Sequence, residues 1–154
     1  MSPVAKKIVA PKKWRPKRVI NPIDRAMKED QMQRALFTQW RLRGTPKSTF
    51  VHIPNEGSRG AGETWNLKKM GLMPGFPDLL LRGDPDYLGE GVIAEPFLLE
   101  LKRAGVAPTP ERREILEGLF ERGWLVYCAD TLDDAVALLE THGVLKCGIE
   151  RYVR

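Results

Sequence analysis

The 154 residues, 42% hydrophobic and 29% charged, suffice for one globular domain with short extensions and are too few for a two-domain enzyme. No uncharged apolar run approaches the roughly 18 residues that cross a bilayer, the opening segment lacks the apolar block of a secretory signal, and two cysteines are too few for a disulfide framework. A cytoplasmic protein with no membrane partner is expected.

The formal net charge of +5 is unevenly held: seven of the 25 basic residues lie in the first 18 positions, which contain no acid, so the remainder carries 18 basic and 20 acidic residues. Residues 1–20 read as a basic, Pro-rich arm and 21–154 as a single domain. The arm is too poor in apolar residues to fold alone, and counterion release would draw it to a phosphate backbone. With only Trp14 available for stacking on bases, a merely solvated tail fits equally well.

Asn21-Pro22 offers an N-cap followed by Pro at the first helical position, and Ile23 to Arg43 continues without Pro or Gly, predicting one long helix. Its Met32, Leu36 and Trp40 recur every fourth residue as a buried stripe, with Glu29 and Gln33 on the edge. Ser48 to Pro54 is rich in β-formers and reads as a strand, followed by a turn-prone segment through Gly60. A short helix is expected over Glu63 to Met70, then a strand from Pro77 to Leu81, a loop from Asp84 to Glu95, and a second strand from Pro96 to Arg103. Thr109-Pro110 opens a helix that Gly123 stops. Trp124 to Cys128 is a continuous apolar run, the pattern of a strand covered on both faces, and Thr131 caps a last helix from Leu132 to Thr141. A hairpin followed by a strand-helix-strand crossover predicts a mixed central sheet flanked by helices, an α/β fold.

The chemistry concentrates on Asp78, Glu100 and Lys102. Side chains alternate along a strand, so Glu100 and Lys102 share one face while Phe97, Leu99 and Leu101 form the other. Asp78 begins the neighbouring strand, and a hairpin would set its carboxylate beside that of Glu100. Two anionic oxygens repel unless a cation lies between them, and a hard divalent ion such as Mg²⁺ suits them. Lys102 would then orient the attacking water or help deprotonate it. Singly, each residue is ordinary, because a strand Glu-x-Lys is often a surface ion pair and Pro-Asp often opens a turn. Together they are what metal-assisted phosphodiester hydrolysis needs, since the metal stabilises the pentacovalent phosphorus and acidifies its water.

The order Glu29-x-x-Met32-Gln33, His52-Ile53-Pro54-Asn55-Glu56-Gly57, Gly75-Phe76-Pro77-Asp78-Leu79 and Leu99-Glu100-Leu101-Lys102 resembles the VRR-NUC domain, a branch of the PD-(D/E)xK nuclease superfamily, over about residues 26 to 140. The resemblance implies the restriction-endonuclease-like αβββαβ core. It implies Asp78, Glu100 and the Leu101 backbone carbonyl as metal ligands, Glu29 as an additional acid near the metal, Lys102 as the catalytic lysine, and Mg²⁺ as cofactor with Mn²⁺ able to substitute. Gln33, Asn55 and Glu56 would face the site. The family commonly carries a glutamine in the first turn of the helix after the Glu-x-Lys strand. Arg112 stands there, and its guanidinium can hold a phosphate but cannot accept a hydrogen bond. Arg59, Lys68 and Lys69 flank the site as candidate DNA contacts.

Chains this short resemble stand-alone, phage-type members acting as homodimers on branched DNA such as Holliday junctions, in DNA repair and recombination. The expectation is a Mg²⁺-dependent endodeoxyribonuclease. The alternative is a non-catalytic nucleic-acid-binding protein that keeps the nuclease scaffold. His52, His142 and Ser58 have no partners at triad or ligand spacing, and His142 reads as a helix-end cation. The Gly60-Ala61-Gly62 spacing belongs to no nucleotide-binding pattern.

Overall fold

Four short runs of Leu, Val and aromatic residues pair into one sheet in the computed structural model, which describes residues 22–54 and 61–148. The strands are β1 (Thr49–His52), β2 (Leu79–Arg82), β3 (Phe97–Leu101) and β4 (Leu125–Ala129), in spatial order β1-β2-β3-β4. The first two pairings are antiparallel and the last is parallel. The parallel pair needs a crossover, which α5 (Pro110–Glu121) supplies. With α1 (Pro22–Ala26), α2 (Glu29–Arg43), α3 (Ala61–Lys69), α4 (Pro85–Leu88) and α6 (Leu132–Thr141), the expected α/β core is present: α2, β1, β2, β3, α5 and β4 in order.

Every residue of β3 is buried, so this strand anchors the molecule. Phe97, Leu99 and Leu101 join Leu79 and Leu81 of β2, Met32 and Leu36 of α2, and Ala135 and Leu139 of α6 in one cluster. Each such Leu or Phe contributes about 1.5–3 kcal/mol of burial. Leu98 lies on the opposite face of β3, and α5 buries Leu116 and Leu119 outside that cluster. The site residues share the Leu98 face.

The single long helix expected over Ile23 to Arg43 is two helices. Lys28 is extended (φ −84°, ψ 159°), and its N–H donates to Gln31 Oε1 at 2.8 Å. The amide of Gln31 thereby occupies the backbone group that a continuous helix would have paired. The break makes Glu29 the first residue of α2. Strand β4 is half-buried at Leu125 to Cys128 rather than covered on both faces, as befits an edge of the sheet among the described residues. The loop after β2 contains α4, capped by Asp84, whose Oδ1 accepts from Asp86 N at 2.9 Å.

His142 is not a helix-end cation. Its ring lies 4.5 Å from Phe97 and 5.0 Å from Tyr127 between centroids, and burial lowers its pKa below the usual 6.5. The neutral ring is favoured in the fold, so its stabilisation is complete above pH 6.5 and is lost as pH falls. The stability gap between the parent and H142F is expected to change on acidification from about pH 7 to pH 5, in the direction of H142F. Thermal melts read this, and a gap independent of pH contradicts it.

The chain after β2 runs hard against the end of α6. Asp84 N donates to Gly143 O at 3.0 Å, and Thr45 Oγ1 donates to the same oxygen at 2.6 Å. A Cβ on Gly83 would lie 1.8 Å from the carbonyl oxygen of His142. Backbone yields less readily than a side chain, so Gly83→Ala should cost roughly 2–3 kcal/mol. This is read as a lower urea midpoint, and a parent-like midpoint contradicts it.

Candidate active site

Register brings the two sequence-selected acids together. Leu79 pairs with Leu99 and Leu80 with Leu98. Continuing by one position sets Asp78 opposite Glu100, and directly opposed residues of an antiparallel pair share a face. Asp78 Oδ2 accepts from Leu101 N at 2.8 Å, and the Asp78 carbonyl accepts from Ile53 N at 2.8 Å, so Asp78 is fastened to both neighbouring strands. The approach to it is equally constrained. Pro77 is buried, and Gly75 (φ +82°) passes so close to α5 that a Cβ there would lie 2.5 Å from Ile115 Cδ1.

Glu100 is fully buried. Its Oε1 has the cations Lys102 Nζ at 2.8 Å and Arg112 Nε at 3.2 Å, yet among the described residues no well-aligned hydrogen bond reaches either of its oxygens. Burial first, and then the charge of Asp78, raise its pKa from 4.5 to about 7, against the pull of Lys102 and Arg112. Lys102 is shifted upward. Burial alone would lower it, but the hydrogen bond and charge of Glu100 and the charge of Glu29 prevail.

Glu29 enters from the start of α2, a consequence of the break at Lys28. Its Oε1 lies 3.8 Å from Lys102 Nζ and accepts from Arg103 N at 3.3 Å. An acid in the first turn also suits the helix dipole. The structure therefore gathers Asp78, Glu100, Lys102, Glu29 and Arg112. Gln33 is half-buried on the next turn of α2. Lys68 and Lys69 are exposed near the end of α3, where Lys69 Nζ sits 3.4 Å from the centre of the Trp65 ring. Asn55, Glu56 and Arg59, like the basic arm, lie outside the described residues.

Cys128 was not singled out by the sequence. The parallel register sets it beside Glu100 on β4, where burial, followed by the charge of Glu100, pushes its thiol up to about 12. It is a neutral neighbour and not a nucleophile. Asp130, also unanticipated, is buried, and its Oδ2 accepts from Gly105 N at 3.1 Å, tying the loop after β3 to the end of β4. Only the strand-end position of Asp130 could have hinted at this.

A metal fits this donor set by one feature above others, the buried Glu100 carboxylate, whose two oxygens receive no well-aligned hydrogen bond among the described residues. Among the described residues, no three His, Cys, Asp or Glu side chains converge as metal ligands. An ion held by Asp78 and Glu100 would take its other ligands from backbone oxygen and water. That arrangement suits Mg²⁺, which keeps several waters and often uses only one or two carboxylates.

No helix among the described residues is long and apolar enough to cross a membrane. No family model and no curated protein matches the sequence. Among solved structures, a VRR_NUC domain protein superposes with a TM-score of 0.57 at 22% sequence identity, covering 76% of this chain and 88% of that one. With its mixed four-stranded sheet flanked by helices, the chain has the VRR-NUC-like form of the restriction-endonuclease-like fold.

Proposed function

We propose that the protein is a divalent-metal-dependent DNA endonuclease that hydrolyses phosphodiester bonds. The observation that carries this reading is the buried Glu100 carboxylate, opposite Asp78 on one sheet face, with Lys102 Nζ at 2.8 Å and no well-aligned hydrogen bond to either of its oxygens among the described residues. Asp78, Glu100 and the Leu101 carbonyl would hold Mg²⁺ or Mn²⁺, with Glu29 as a further acid beside them. When bound, such an ion acidifies a water and polarises the phosphoryl oxygens.

The chain's own residues supply the rest. Glu100 presents a buried carboxyl group and Asp78 a half-buried one. Lys102 keeps its proton at neutral pH, because its pKa is raised. It therefore suits orienting the attacking water and offsetting charge on the phosphate better than abstracting a proton. Pairing with Glu100 and Glu29 holds its ammonium in place.

The VRR-NUC-like fold and the basic arm support branched DNA, such as a Holliday junction, as substrate. They also support a homodimer whose two equivalent sites cut opposed strands. Trp65, 58% exposed on α3, is a candidate for the dimer surface. The test is incubation with labelled junction, flap and linear duplex in Mg²⁺ or Mn²⁺. Cleavage of the junction that Glu100→Ala abolishes is expected, and no cleavage of any substrate overturns the reading. Deleting residues 1–18 should weaken DNA binding and its salt dependence while cutting survives. Loss of all binding with no cutting to lose would favour the binding-protein alternative.

A further inference from the structure

We propose that Arg112 is a displaceable counter-ion. It neutralises Glu100 in the metal-free protein and passes to a DNA phosphate when a divalent cation takes its place, so that metal and DNA bind cooperatively. This rests on the nuclease reading above.

The geometry sets up a competition. Lys102 and Arg112 both approach Oε1 of Glu100, at 2.8 and 3.2 Å. A divalent ion entering against the same carboxylate meets two resident cations at close range, and like charges in a poorly solvated site repel strongly. Among the described residues, and with Glu100 ionised, three carboxylates (Asp78, Glu100 and Glu29) and two cations (Lys102 and Arg112) leave one negative charge. A divalent ion turns that into one positive charge, and one phosphate restores neutrality. Metal alone is thus poorly compensated, and phosphate supplies what is missing.

Of the two cations, Arg112 is the one suited to move. Lys102 belongs to the end of β3, next to the proposed ligands, and is shared between Glu100 and Glu29. Arg112 comes from the first turn of α5, across from the loop that leads to Asp78. A Cβ on Gly75 in that loop would lie 3.6 Å from Arg112 Nη1 and 3.8 Å from its Cδ, so the missing side chain leaves the guanidinium its room. The planar guanidinium fork can engage two phosphate oxygens at once, which an ammonium cannot.

The test is calorimetry of the full chain with Ca²⁺, chosen as a non-cutting ion, without DNA and with a short four-way junction. The parent is expected to bind Ca²⁺ about tenfold more tightly when DNA is present. R112Q should bind Ca²⁺ about tenfold more tightly than the parent without DNA, and gain little from DNA. R112K keeps the charge and loses the fork, so its DNA-free affinity should match the parent while the gain from DNA falls at least about threefold. If R112Q does not fold, R112K carries the test alone. A parent that binds Ca²⁺ while R112Q binds no more tightly, or while either variant keeps the full gain from DNA, overturns the inference and leaves the nuclease reading standing. A parent that binds no Ca²⁺ with or without DNA overturns both.

Discussion

Glu100→Gln is expected to make the metal-free protein more stable at about pH 8 while removing metal-dependent cleavage. The carboxyl titrates near 7 in the fold against 4.5 when exposed, so the folded protein holds this proton to higher pH than the unfolded chain does. The group favours folding below pH 4.5, its contribution declines between 4.5 and about 7, and above that the full cost of a buried carboxylate is present. That cost is about 3 kcal/mol. Gln keeps the shape and removes the charge, so Tm should rise by roughly 6–12 °C at about pH 8 and by much less at about pH 4. Cleavage should fall by at least about a thousandfold, because a neutral amide is a poor ligand for a hard cation. Thermal melts at the two pH values and a junction-cleavage assay measure both arms. An unchanged or lower Tm at the higher pH would mean that Glu100 is better compensated than its surroundings imply.

Lys102→Met should act in the opposite direction on stability and in the same direction on activity. Removing the ammonium 2.8 Å from Glu100 strips a buried carboxylate of its nearest counter-charge, a change that typically costs about 3 kcal/mol. Cleavage should drop by roughly 10²–10³-fold, the usual range for losing a group positioned to stabilise transition-state charge, with metal binding retained. The double variant E100Q/K102M should recover most of the stability lost by K102M, since no charge then remains to be compensated between the two positions. Urea denaturation of the four proteins gives the coupling directly. Additive effects would show that the two side chains do not act as a pair.

These residues were legible because Glu100 interrupts a strand that is otherwise wholly apolar. In Phe97-Leu98-Leu99-Glu100-Leu101, a carboxylate within an otherwise apolar strand calls for an explanation, and Lys102 two residues on supplies half of it. The helix caps at Thr109 and Thr131 were equally plain, each hydroxyl accepting the amide three residues ahead. Register was not legible, because the stretch between β2 and β3 is long enough to permit several pairings. Asp78 and Cys128 flank Glu100 only once that register is known. The break at Lys28 carried no Pro or Gly to announce it. It depends on the Gln31 side chain taking the Lys28 amide, a choice that local propensity does not reveal. That same break directs Glu29 to Lys102. The sequence shows that Arg112 can hold a phosphate but not that it lies against Glu100, a contact set by how α5 packs against the loop around Gly75.

The most direct measurement is anomalous diffraction from crystals of the full chain soaked in Mn²⁺. The account predicts a single strong peak coordinated by the carboxylates of Asp78 and Glu100, lost in crystals of E100Q. A peak elsewhere, or none at full soak with both carboxylates facing the same side of the sheet, would contradict it.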